Sequence, residues 1–276
     1  MRLLFFPLLW YDRRRLRAVL AGRTVCITGA SFGIGESVAL LLADAGARLV
    51  LIARTADKLE QVQQQVQQRG GQAEIFACDL TDSAAVQQLL QQLSELPGGI
   101  DILISNAGKS IRRSLFDSVD RFHDFTRTAA LNYLAPVQLV LGLTPLLLSS
   151  GGQVINVWAI NVLLIPPPKW SAYQASKAAF DQWFRSIGPE LNSRGVATTS
   201  IYLPLVRTRM IEPTAHYRRY PAMQPEQVAC VICRAIVSRR RSYKPWWMPV
   251  AEVICLLLRW PIEILMTWIL RRRRGG

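Results

Sequence analysis

Histidine is scarce in this chain of 276 residues: there are two, His123 and His216, far apart. No group of histidine, cysteine and carboxylate has the spacing of a metal site, so no zinc or iron site is expected. Cysteine is sparse and odd in number, at positions 26, 78, 230, 233 and 255. That argues against a disulfide scaffold and for reduced thiols in a reducing compartment. Cys230 and Cys233 are spaced C-x-x-C but fall inside a helical pattern, which leaves a redox pair as the lesser alternative. Acidic residues are few, 19 against 33 lysines and arginines, for a net charge of +14. Where that excess sits decides its meaning. Residues 1–23 hold six arginines against Asp12 and carry +5. Residues 239–276 hold eight arginines and Lys244 against Glu252 and Glu263 and carry +7, leaving +2 for residues 24–238. A nucleic-acid binder would spread its cations over a folded face, so that class of partner is not expected.

Apolar residues are plentiful, at 50% of the chain, enough to core one α/β domain with extensions. The chain is organised around TVCITGASFGIG, residues 24–35. Val25, Cys26 and Ile27 read as a short buried strand. The turn that follows holds Gly29, Ser31, Phe32, Gly33, Ile34 and Gly35, and a helical pattern starts at once. Strand, glycine-rich turn, helix is a geometry that holds phosphate: glycine lets the backbone approach, and the new helix offers unpaired N–H groups. The spacing is G-x-x-x-G-x-G, neither the common G-x-G-x-x-G nor a Walker A loop. A plain helix start with flexible punctuation is the alternative.

Residues 48–53 read as a second buried strand ending at Ala53, with Arg54 next. An acid at that end would bind the ribose 2′-OH of NAD; a cation suits a 2′-phosphate and favours NADP(H). A solvated surface arginine is the competing explanation. A third strand, residues 73–77, leads into Asp79 and Leu80; a helix follows over 82–96, then a fourth strand over 100–105 and Asn106, Ala107 and Gly108. Strands alternating with helices of this length predict right-handed βαβ units and a parallel sheet.

Together, the residues from Thr28 to Gly35, Asp79, the Asn106-Ala107-Gly108 turn and Tyr173-x-x-x-Lys177 resemble the short-chain dehydrogenase/reductase family, over about residues 24–237. Arg112-Arg113, residues 122–125, Leu131-Asn132-Tyr133 and residues 204–210 further resemble a branch related to fatty-acyl reductases. The resemblance implies an α/β, Rossmann-like, doubly wound parallel sheet of about seven strands that binds a nicotinamide cofactor. It implies that Asp79 contacts the adenine, that Asn106 lines the cofactor cleft, and that Pro204, Val206 and Thr208 lie along it, Thr208 touching the nicotinamide amide. Asn132 matches an asparagine that steadies a water-linked proton relay.

Tyr173 and Lys177 are four apart in a helical segment, residues 171–191, and so share a face. A nearby ammonium is expected to lower the phenol pKa from about 10. The tyrosine can then protonate a carbonyl oxygen as hydride arrives, or deprotonate an alcohol in reverse. The resemblance gives Lys177 a second contact, with the nicotinamide ribose. One group departs from the pattern: Trp158-Ala159 stands where the family places Ser-Ser. Losing such a hydroxyl from a preorganised site costs on the order of 10²–10³ in rate. Asn161 and Ser171 lie nearby without matching that position. A catalytically silent NADP(H) sensor or scaffold therefore stands beside the enzyme reading.

Two ends frame the predicted domain of residues 24–242. The apolar run of residues 3–11 is too short to span a bilayer and is followed by arginines, which reads as an interfacial anchor on a cytoplasmic face; a helix packed on the protein's own body is the alternative. Residues 243–276 combine tryptophans, an amphipathic pattern with Glu252, Arg259 and Glu263 near one face, a proline, Pro261, expected to kink the helix, and four closing arginines. These read as a monotopic anchor on an anionic membrane, with a spanning helix, or packing on a partner subunit in a homo-oligomer, as rivals. Residues 205–223 are too irregular for a long helix; the resemblance implies a substrate lid there, where Arg207, Arg209, Arg218 and Arg219 could meet an acidic head group, and a solvated loop is the equal alternative. The expected substrate is a hydrophobic small molecule, an acyl-chain carbonyl or alcohol.

Overall fold

The computed structural model describes residues 10–212, 217 and 219–272. Its centre is a parallel sheet of β1 (Thr24–Thr28), β2 (Arg48–Ala53), β3 (Gln72–Ala77), β4 (Ile102–Ser105), β5 (Gln153–Ala159), β6 (Ala197–Leu203) and β7 (Ser242–Tyr243). The seven strands run in the order β3-β2-β1-β4-β5-β6-β7. β1 pairs with both β2 and β4, so the winding reverses there and leaves a crevice beyond the carboxyl ends of these strands. This is the doubly wound sheet expected from the sequence.

The central strands β1, β2 and β4 are largely apolar because both faces are covered, whereas the edge strands β3 and β7 carry Gln72, Glu74 and Ser242 and are less buried. Alternate residues serve opposite faces. Val25, Ile27, Leu49 and Leu51 join one core with α1 (Arg13–Leu20), α2 (Gly33–Ala43), α3 (Ala56–Gln68) and α8 (Pro225–Ser238). Cys26, Val50, Ile52 and Trp158 join the other with α4 (Ser83–Ser94), α6 (Ala135–Ser149) and α7 (Ser171–Ser193). α5 (Phe122–Ala129) feeds α6 through a π-helical turn, Ala130–Leu134, which carries Asn132. The five cysteines are free thiols.

The ends differ from each other. Asp12 caps α1, accepting from Arg14 N and Arg15 N at 2.9 and 3.1 Å, and Leu16 and Leu20 are fully buried on the body. For this stretch the body-packed alternative holds; residues 1–9, the main part of the expected N-terminal anchor, lie outside the described residues. At the other end α9 (Met248–Leu257) and α10 (Arg259–Arg272) meet at an angle of 80°. The kink expected at Pro261 is present, and it divides the face shared by Glu252, Arg259 and Glu263. Pro261 explains the break: a proline ring clashes with the carbonyl four residues back, here Leu257, so the first helix stops there and proline is tolerated in the first turn of the next.

Candidate active site

The glycine-rich turn is pinned from the side of β4. The hydroxyl of Thr28 accepts hydrogen bonds from the backbone N–H of Asn106 and Ala107, at 3.0 Å each. The Asn106 amide donates to the carbonyls of Thr28 and Gly29 at 3.1 and 3.3 Å. Asn106 thus braces the loop as well as lining the crevice. Gly29 has φ +66°, and a Cβ there would stand 2.9 Å from Ala107 Cα. A Cβ on Gly35 would stand 2.2 Å from the Gly29 carbonyl oxygen, so Gly35 lets the start of α2 tuck under the loop. Phe32 at the N-cap of α2 supplies no side-chain hydrogen bond, which leaves the first N–H groups of the helix to a ligand.

A cleft of about 650 Å³ opens above this turn. Gly29, Ser31, Phe32, Gly33 and Ile34 form its floor, and Asn106, Ala107 and Gly108 one wall. Tyr173 and Lys177 enter from α7, and Pro204, Val206 and Thr208 from the segment after β6. Among the described residues no carboxylate lines it, while Lys177 and Arg209 do. A dinucleotide pyrophosphate fits this cradle of bare backbone, open helix end and positive charge.

Five predicted site residues stand elsewhere. Gly35 is buried behind the loop. Asn132 is buried below it, where its amide oxygen accepts from Lys109 N at 2.8 Å and its amide nitrogen donates to Ser176 Oγ at 3.0 Å. A Cβ on Gly108 would touch both Asn132 Oδ1 and Lys177 Nζ, at 3.3 and 3.1 Å, so the asparagine sits one residue's thickness from the lysine. Leu80 packs into the core beside α4, not into the cleft. Asp79 spends its carboxylate on Thr81, accepting from that residue's N–H at 2.9 Å and its hydroxyl at 2.8 Å. These bonds hold its pKa below the usual carboxylate range, with Arg54 a smaller contributor. Arg54 is exposed at the rim after β2.

The electrostatics at Tyr173 overturn one expectation. The phenol pKa is not lowered but raised, to about 12, because burial outweighs everything else and Tyr217 adds to it. Lys177 does not offset this. Its Nζ lies over the Trp158 ring, 4.8 Å from the centroid, and burial lowers its own pKa to about 8. Tyr173 is thus a protonated phenol at neutral pH. Ala159 lines the cleft and offers no hydroxyl; Ser110 and Asn161 are neighbouring polar side chains of the lining.

Several participants were not legible in the sequence. Trp158 supplies a π-face to the ammonium. Trp170 stacks on Tyr217 with centroids 5.8 Å apart and meets the Tyr173 ring edge-on, also at 5.8 Å, making an aromatic mouth. The bend that Pro166-Pro167-Pro168-Lys169-Trp170 marks in the sequence is made at Lys169, whose φ of +72° turns the chain into that mouth. Of the four lid arginines, Arg209 lies over the Phe32 ring, 4.0 Å from its centroid, which lays the lid across the glycine-rich turn. Arg218 lies outside the described residues. Only Arg209, set between Thr208 and Met210, had a sequence signal, its place directly after the threonine of the motif.

Fold and cleft define a Rossmann-like nucleotide-binding protein. The profile of the short chain dehydrogenases matches residues 23–218, and the chain belongs to that family. It is 48% identical over 224 residues to a fatty acyl-CoA reductase of Acinetobacter baylyi, covering 81% of this chain and 76% of that protein. It is 42% identical over 225 residues to a fatty acyl-CoA reductase of Mycobacterium tuberculosis, with the same coverage, 81% and 76%. Among solved structures it is similar to a metagenomic short-chain oxidoreductase in complex with NADP, at 26% identity and TM-score 0.71 over 82% of this chain and 96% of that one. A short-chain dehydrogenase from Sphingobium yanoikuyae in complex with NADPH gives 25% identity and TM-score 0.74 over 91% and 95%. The chain is an oxidoreductase of this family.

Proposed function

We propose that this oxidoreductase uses NADP(H) to transfer hydride to the carbonyl carbon of a hydrophobic acyl-chain substrate. One observation carries the proposal: the glycine cradle, Tyr173 and Lys177 line a single carboxylate-free cleft. The solved relatives that hold NADP and NADPH, and the two fatty acyl-CoA reductases, support the cofactor and the substrate class. Arg54 at the rim after β2 favours the 2′-phosphate over a free ribose hydroxyl.

The cofactor would lie along the glycine-rich turn, with its nicotinamide toward Thr208 and Tyr173, and would supply the hydride. The chain's residues do the rest. Tyr173, kept protonated by burial, donates its phenolic proton to the carbonyl oxygen as charge builds there. A protonated phenol suits reduction better than oxidation. Lys177 is held beside it as a buried cation, and Asn132 fixes the backbone of Lys109 below the cleft. Trp170, Tyr217, Met210 and Ile211 give the outer cleft the apolar lining that an alkyl chain needs.

The test is NADPH oxidation against a panel of acyl-CoA thioesters, fatty aldehydes and short polar carbonyls. Turnover confined to long-chain substrates is the expected result; preference for short polar carbonyls would reject the substrate class. Ala159 favours a second reading, an NADP(H)-binding protein without turnover, because the carbonyl oxygen meets one fewer hydroxyl donor. Tight NADPH binding with no turnover on any member of the panel would select it.

A further inference from the structure

We infer that the C-terminal elbow of α9 and α10 docks the protein on an anionic bilayer, lying in the headgroup region without crossing it. This inference is independent of the cofactor and substrate. It begins with exposure. α10 has no buried residue, and α9 has only Met248. On α9, Val250, Val253, Ile254 and Leu257 are exposed at i, i+3, i+4 and i+7, which is one stripe of a helix. On α10, Trp260, Ile264 and Trp268 repeat every fourth residue and are 75%, 53% and 48% exposed. A soluble surface rarely leaves an apolar patch of this extent facing water.

Neither arm is long enough to cross by itself. The arms have 10 and 14 residues, or about 15 and 21 Å at about 1.5 Å per residue, against an apolar thickness of ~30 Å. The 80° bend keeps them from adding into one span. The stretch Phe122–Ser149 is long and apolar enough by composition to cross, but Leu139, Leu143 and Leu147 bury it in the sheet's own core.

Charge selects the occupant. Both acids of the tail are internally neutralised: Glu252 by Lys244 at 2.6 Å and Glu263 by Arg259 at 3.1 Å. What remains is arginine. Arg271 and Arg272 are exposed, Arg272 lies over Trp268 at 3.8 Å from the ring centroid, and Arg273 and Arg274 follow in sequence. An apolar stripe with interfacial tryptophans and a polybasic end matches anionic lipid, with each arginine near the surface adding to the attraction.

Flotation with phosphatidylcholine vesicles, with and without phosphatidylglycerol, tests this on the full chain. The protein should float with the anionic vesicles and be released by high salt. Leu257→Glu combined with Trp268→Glu should lower partitioning about tenfold or more, since apolar insertion supplies much of the binding. Arg271→Gln combined with Arg272→Gln should lower it on anionic vesicles only. All these side chains are exposed, so the far-UV spectrum and thermal unfolding should not change. Three results would overturn the inference: no flotation at low salt; tryptophan quenching strongest with lipids brominated at the bilayer centre, which would mean a spanning helix; or a lipid-free dimer that Leu257→Glu dissociates, which would mean a second copy covers the elbow.

Discussion

Replacing Lys177 with methionine should stabilise the fold while ending catalysis. Lys177 is buried at the edge of the cleft, and that burial moves its pKa from 10.5 to about 8. At about 1.4 kcal/mol per pH unit, a displacement of that size disfavours the charged form by about 3 kcal/mol. The face of Trp158 is counted against this. A desolvated cation–π contact gives back up to about 2 kcal/mol, and it is lost with the lysine. Methionine fills most of the same volume without a charge, so the variant should gain about 1–3 kcal/mol at pH 7. For a domain of this size that is a rise of about 2–4 °C in Tm per kcal/mol. The sign with pH follows from the lowered pKa. Between about pH 8 and pH 10.5 the unfolded lysine binds more protons than the folded one, so the parent gains stability as pH rises through that window. The gap between variant and parent should therefore be widest below pH 8 and close toward pH 10.5. Urea unfolding of both proteins at pH 7 and pH 10 measures it. A variant less stable by the same amount at both pH values would refute the reasoning, because it would mean that Lys177 is a net structural support and not a buried charge kept at a cost.

The remaining predictions concern the cleft. Tyr173→Phe should remove turnover and leave NADPH affinity within about twofold, since only the proton donor is lost; stopped assays and fluorescence titration separate the two, and surviving activity would place the proton elsewhere. Ala159→Ser should raise turnover by about tenfold or more where a hydroxyl can face the carbonyl oxygen; an unchanged kcat would show that the cleft already supplies that hydrogen bond. Arg54→Ala should weaken NADPH binding while sparing NADH, and equal effects on both would remove the 2′-phosphate contact. Arg209→Ala should weaken both cofactors by the same factor, because Arg209 lies over Phe32 beside the pyrophosphate cradle and not at the ribose; a loss confined to NADPH would contradict that placement.

Much of the sheet and the cradle were legible in the sequence because they depend on local chemistry. Continuous apolar runs mark strands covered on both faces, and Gly29 and Gly33 mark positions whose positive φ few other residues tolerate. The pairing of Tyr173 with Lys177 was legible too, since a spacing of four on a helix is local geometry. Tertiary structure decided what depends on distant neighbours. The direction of the Tyr173 pKa was one such property: burial by α7, the aromatic mouth and β5 exceeds what one nearby ammonium does, and that ammonium faces Trp158. Arg209 reached Phe32 only because the chain returns across the loop 177 residues later. The tail's amphipathic pattern and the kink at Pro261 were visible in the sequence, but the size of the bend, the pairing of its acids and the absence of any buried residue along α10 emerged only in three dimensions. Side-chain pattern states which residues avoid water; only packing states which of them find another surface to cover them.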